Sequence, residues 1–230
     1  MVEVIPIVVG FDPRESVAYH TFCQSVISRS SKPVAFFPLA SHLVGNDRKP
    51  DESNDFITSR FLVPNLMGFG HFSSHAIFVD GDMVVTDDIA KLWELRDHTK
   101  AVQVVKHDYQ TKHPVKYLGN KNENYPRKNW SSVILWNNRH FRNRCLEPAF
   151  VAGKPGSFLH RFEWLEDKHI GEIPPEWNWL IGEYPQNPEA KLYHFTIGIP
   201  SFSEFSRCDH ADAWHREHYN ANYFQQLTNP

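Results

Sequence analysis

Two aspartates one residue apart, Asp80 and Asp82, follow directly on the apolar run Ala76-Ile77-Phe78-Val79, with Gly81 between them. Apolar residues resume at Met83. A short apolar run of this kind reads as a strand buried on both faces, and carboxylates at the carboxyl end of such a strand tend to be working groups. Three chemistries suit the pair. Asp and Gly are common turn residues, so the tripeptide could form only a bend. Two carboxylates on one loop can instead grip a hard divalent cation, which neutralises phosphate charge on a leaving nucleotide. A carboxylate can also attack phosphorus as a nucleophile. A bend alone is a weaker reading for this pair, because adjacent carboxylates repel unless something positive lies between them. Asp87 and Asp88 stand in the first turn of the next helix, where carboxylates favour the dipole, and their expected role is structural.

The elements that must position this pair alternate between strand and helix. Ile7 to Phe11 is an apolar run with Pro6 at its start. Asp12 can cap the following helix, with Pro13 at its first position and Glu15 where a capping-box acid would sit. Tyr19, Phe22, Cys23, Val26 and Ile27 then share one helical face. Val34 to Leu39 is the next strand, and the polar run from Ser41 to Asn54 is a loop. A helix is expected from Asp55 through Ile57, Phe61 and Leu62, bent or ended by Pro64. After the aspartates come a helix carrying Ile89, Leu92 and Trp93, and a strand from Ala101 to Val105. A long polar stretch runs from Lys106 to Lys128, either a solvated loop or the wall of an acceptor pocket, with Lys106, His107 and Asp108 at its strand end. Strands at Ser131 to Asn137 and in Lys191-Leu-Tyr-His-Phe195 follow, with a helix near Trp214. This alternation predicts an α/β fold of three layers around a mostly parallel sheet, in one domain spanning residues 1–230.

Composition narrows the function. A formal charge of −3 over 230 residues argues against a general nucleic-acid or acidic-membrane binder. Seven Trp and seventeen Phe indicate a bulky core. Cys23, Cys145 and Cys208 are widely spaced and match neither a zinc site nor a disulfide framework. The amino terminus does not read as a signal peptide, and no apolar run approaches the roughly 18 residues of a membrane span. A cytoplasmic protein is the expectation.

Two resemblances bear on the aspartates. Phe78-Val-Asp-Gly-Asp-Met-Val84 fits the short signature of haloacid-dehalogenase-like phosphatases, in which Asp80 would be the nucleophile. That family carries its signature on an early strand, whereas here a whole β-α-β unit precedes it. Its second acidic pair would have to be Asp209 and Asp212, which follow polar sequence. The stretch Ile57 to Leu95 resembles the core of family 8 glycosyltransferases: a helix bearing a basic residue, a strand ending in Asp-x-Asp, then a helix with a Leu-Trp pair. Val8 to Tyr19 looks like that family's first strand and nucleotide-binding turn, and Leu192 to Pro200 resembles its His-x-x-x-Gly segment. Mostly uncharacterised phage and bacterial proteins look like the closest kin.

The second resemblance implies a GT-A (Rossmann-like) fold and transfer of a sugar from a nucleotide-sugar, with retention at the anomeric carbon. Asp80, Asp82 and His194 would hold a divalent metal, usually manganese with magnesium as the alternative, and the favoured donor is a UDP-sugar. Arg60 would face the phosphates or the sugar. Phe11, Asp12 and Tyr19 would lie near base and ribose, and Gly81, Ser131, Ser132 and Gly198 would line the donor site. The acceptor is open among glycan, lipid and protein, and a homodimer is compatible with the reading. Departures fall on the sugar side. Trp130-Ser131-Ser132 stands for the usual Asn-(Ser or Ala)-Gly, Ile199-Pro200 replaces a phosphate-binding Lys-Pro, and the Asp-Gln pair is missing, with Arg161 and Glu163 as substitutes. Glu163 is thus the candidate to stabilise positive charge at the anomeric carbon. Those departures keep a third class open, a nucleotide-sugar-binding module without turnover.

Overall fold

The computed structural model describes residues 3–45, 54–68 and 72–223; positions 46–53 of the loop expected over Ser41 to Asn54 lie outside them. In chain order the first half comprises β1 (Ile5–Gly10), α1 (Ser16–Ile27), β2 (Val34–Leu39), α2 (Val63–Gly68), β3 (His75–Val79), β4 (Met83–Val85), α3 (Ile89–Glu94) and β5 (Val102–Val104). The second half adds β6 (Val133–Asn137), α4 (Pro148–Ala152), α5 (Gly156–His160), β7 (Ile170–Glu172), β8 (Trp179–Leu180), β9 (Leu192–His194) and α6 (Ala211–Asn222). None of the described helices is long and apolar enough to cross a membrane.

The main sheet has the order β2-β1-β3-β6-β5-β7, and only β6 runs against the rest, so the sheet is mostly parallel as expected. Both faces are covered. Ile77 and Val79 of β3 enter one core with Ile5, Ile7, Val9 and Phe22, while Ala76 and Phe78 enter the other with Phe61 and Trp136. That period of two is why β3 reads as an unbroken apolar run. The aromatic residues do build the core: Trp136, Trp177 and Trp214 are among its largest fully buried side chains. Pro6 costs no ladder bond towards β3, whose pairing with β1 begins at Ile7, and Pro38 lies on the edge strand β2.

A second sheet, β4-β9-β8, carries the other half of the site. Met83 pairs with His194, and the Phe195 N–H donates to the Asp82 carbonyl at 3.0 Å. This register draws the carboxyl end of β9 alongside the aspartate loop. Strands β4, β7 and β8 are two or three residues long and carry no periodicity of their own.

Two local expectations are corrected. The chain from Asp55 makes turns, then a 3₁₀ segment at Ser59–Leu62, before α2 starts. Pro64 lies in the first turn of α2, where no N–H is required, and does not end the helix. Glu15 caps nothing; it is buried, while Asp12 accepts from the Arg14 N–H to cap the Pro13–Glu15 turn.

Candidate functional site

The aspartate loop is set by two backbone contacts. The Asp80 N–H donates to the Ser132 carbonyl at 3.0 Å, tying the loop to the start of β6. Gly81 presses on the end of β1, where a Cβ would stand 2.5 Å from the Gly10 carbonyl oxygen. Only glycine fits there. The two side chains then turn into one pocket, 14% and 15% exposed.

Asp80, Asp82 and His194 each offer a ligand atom, all within 4.8 Å of one another. His194 Nε2 lies 3.4 Å from Asp82 Oδ1, and its Nδ1 is 3.0 Å from Asn178 Oδ1. The neighbouring bonds fix the tautomer. Ser132 Oγ donates to the Asn129 carbonyl at 2.7 Å, so it accepts from Asn178 Nδ2 at 2.8 Å. Asn178 therefore turns its oxygen to His194, whose Nδ1 must donate to it, which leaves Nε2 as the ring nitrogen that faces the carboxylates. Asp82 Oδ1 is buried with no hydrogen-bond partner. Two carboxylates, an imidazole oriented through its Nδ1 and an orphaned oxygen fit a divalent cation such as manganese.

Charge within the site is asymmetric. Burial pushes the Asp80 carboxyl above its usual range, and the Arg60 guanidinium only partly offsets this. Burial acts on Asp82 too, but His194 and then Lys116 outweigh it and hold that carboxyl below its usual range. Arg60 lies between the Phe56 and Phe78 rings at 5.2 and 5.1 Å, and its Nη1 is 2.7 Å from Asp80 Oδ1. The guanidinium also donates to the Ser131 and Ile57 carbonyls at 2.9 and 3.1 Å. Arg60 is thus a buried clamp on Asp80, with its charge committed there.

Two cavities adjoin at Asp80. One, of about 320 Å³, holds Asp80, Asp82 and His194 with Thr196, Lys116 and Lys128. The other, of about 450 Å³, shares Asp80 and Lys116 and extends past Arg60 and Ser131 to Ser157, His160 and Arg161. Ser131 Oγ is 2.7 Å from His160 Nδ1; burial, helped by Arg60, pushes that imidazole down to about 3, and its Nε2 has no partner. The polar stretch 106–128 is no mere solvated loop. Its Thr111, Lys112 and Asn122 bond the buried Glu183, and its residues line both cavities.

Other expected site residues lie elsewhere. Glu163 is exposed, 3.8 Å from Arg161, and lines neither cavity; His160 and Arg161, just before it, face the space intended for it. Gly198 packs under the Phe205 ring, which a Cβ would meet at 2.2 Å. Phe11 and Tyr19 pack edge to face at 5.6 Å. Both Asp12 oxygens are engaged by Arg14 and the Asp55 N–H. None of these four lines either cavity. Asn178, Lys116 and His160 went unread in the sequence; only Asn178, isolated in the apolar Trp177-Asn-Trp-Leu180, carries a local signal.

Glu15 gives the metal-free protein a pH dependence. Burial, then Asp82 and Asp12, raise its carboxyl from 4.5 to about 8. The folded protein therefore holds a proton that the unfolded chain loses near 4.5, so this stability is complete below 4.5 and disappears as pH rises through about 8. Denaturation in chelator at pH 5 and pH 9 should show wild type losing on the order of a few kcal/mol relative to Glu15→Gln. Parallel losses would refute it.

No family model matches the chain. Protein CDI of Arabidopsis thaliana is 39% identical over 236 residues, covering 97% of this chain and 90% of that protein. Among solved structures, the glycosyltransferase GlyE of Streptococcus pneumoniae superposes with a TM-score of 0.63 at 14% identity, over 94% of this chain. The chain spans 60% of GlyE. The galactosyltransferase LgtC, solved with donor and acceptor sugar analogues, gives a TM-score of 0.59 at 10% identity, covering 96% of this chain and 98% of LgtC. At these identities the likeness establishes the fold, which is GT-A.

Proposed function

The chain belongs to the family of Protein CDI of Arabidopsis thaliana, and from that membership and the GT-A fold we propose that it is a metal-dependent glycosyltransferase acting on a nucleotide-sugar. The observation that carries this is the Asp80–Asp82–His194 group, with His194 Nε2 turned towards the carboxylates by the bond of its Nδ1 to Asn178. A divalent ion bound there, manganese in this reading, neutralises the diphosphate and makes it a better leaving group. The chain's own residues do the positioning. Arg60 holds Asp80, Asn178 holds His194, and the arm past Ser131 and His160 offers hydrogen-bond groups to the donor's sugar. A UDP-sugar donor and retention at the anomeric carbon follow from the family 8 resemblance. The phosphatase alternative loses ground, because Asp80 is ion-paired to Arg60 and grouped with a histidine.

The reading is tested by thermal denaturation with nucleoside diphosphates and nucleotide-sugars, with and without Mn²⁺. The matching donor at 100-fold excess over its dissociation constant should stabilise by ~2.7 kcal/mol, only with the metal. Nucleoside diphosphate should then be released from that donor, and chelator should stop it. If no nucleotide shifts the midpoint, or the protein cleaves p-nitrophenyl phosphate without nucleotide, the assignment fails.

A further inference from the structure

The resemblance leaves the donor's diphosphate without its C-terminal lysine, since Ile199 stands before Pro200. We propose that Lys116, from the segment between β5 and β6, supplies the missing cation and binds the donor's phosphate oxygens. This rests on reading the site as a nucleotide-sugar site.

Four observations support it. Lys116 lines both cavities, which share the carboxylates of Asp80 and Glu123. Its backbone is fixed: the Lys116 N–H donates to the Asn120 carbonyl and the Tyr117 N–H to the Ile197 carbonyl, both at 2.8 Å, while the Tyr117 ring stacks on Phe202. The ammonium donates to Thr196 Oγ1 at 3.0 Å, two residues beyond His194, and among the described residues its other two N–H groups have no acceptor. Burial pushes the Lys116 pKa down, and the strongest opposing influences are Asp82 and Asp80, which places the ammonium in the field of both carboxylates.

The neighbouring lysines are less suited. Lys128 is committed to its own loop, donating to Asn122 Oδ1 and the Glu123 carbonyl at 2.7 Å each, and Lys121 is exposed at the cavity rim. A fixed ammonium with free N–H groups makes charge-assisted bonds to phosphate oxygen.

The experiment is calorimetric titration of wild type, Lys116→Met and Lys116→Arg with UDP, GDP and ADP in the presence of Mn²⁺, and with Mn²⁺ alone. Methionine keeps the length of the side chain and removes its charge. Lys116→Met should bind the wild type's preferred diphosphate ~10- to 100-fold more weakly, with affinity for Mn²⁺ alone and thermal midpoint little changed. Lys116→Arg should recover most of the loss. Unchanged diphosphate affinity in Lys116→Met, or an equal loss for Mn²⁺ alone, overturns the inference while the site reading stands. Wild type that binds none of the three diphosphates overturns both.

Discussion

Asp82→Asn is expected to lose metal-dependent release of nucleoside diphosphate by more than ~100-fold, the scale on which even outer-shell partners of a metal site act. Asparagine has nearly the same shape as the aspartate and can still face His194 Nε2, 3.4 Å from the present oxygen, so the fold should survive. The charge that attracts the ion is gone. The fold itself favours the Asp82 carboxylate, so the chelator-treated variant should melt a little below wild type, and only wild type should gain stability when Mn²⁺ is added. Asp80→Asn should also lose the metal, with a different signature. Burial holds the Asp80 carboxyl above its usual range even beside Arg60, so a neutral amide relieves a charge penalty and the metal-free variant should be at least as stable as wild type at neutral pH. An Asp82→Asn protein that still releases nucleoside diphosphate at the wild-type rate would remove the metal from the proposal.

Gly81→Ala should be nearly as damaging, for a reason unrelated to charge. The added methyl would lie 2.5 Å from the Gly10 carbonyl oxygen, which belongs to the end of β1 in the main sheet. β1 is held on both edges, by β2 and β3, so it cannot move aside cheaply. The strain should cost ~1–3 kcal/mol. The aspartate loop is the softer partner and should move, carrying both carboxylates away from His194. Misplacement on the scale of 1 Å costs about 100-fold in rate. Denaturant midpoint and donor turnover should thus fall together, whereas Asp82→Asn should separate them. A Gly81→Ala protein with both intact would mean that the loop is not held by this contact.

Much of the frame is legible from residue order because β1, β3 and β6 are buried on both faces and announce themselves as apolar runs. Asp80 and Asp82 are legible for the same reason, standing where such a run stops. Strands β4, β7 and β8 are not, since two or three residues carry no period and their pairing is decided by distant partners. His194 entered only through a family resemblance; what orients it is Asn178, and that bond is a product of tertiary packing. Lys116 sits in a stretch whose mixed polarity reads as loop, and its shelter comes from Thr196, 80 residues further along the chain, and Ile197. Glu163 failed because the chain turns at Phe162, whose φ is +54°, which leaves His160 and Arg161 facing the cavity and Glu163 facing solvent.

The cation-holding group draws its members from both sheets: Asp80 directly follows β3 of the larger one and His194 ends β9 of the smaller. About a hundred residues separate them along the chain, so the group is a late event in the life of the polypeptide. As the protein emerges from the ribosome, the carboxylates appear first, and the imidazole that completes them arrives only near the end. A truncated or half-folded chain therefore has no finished grip on an ion, and the capacity to bind one reports that both sheets have come together.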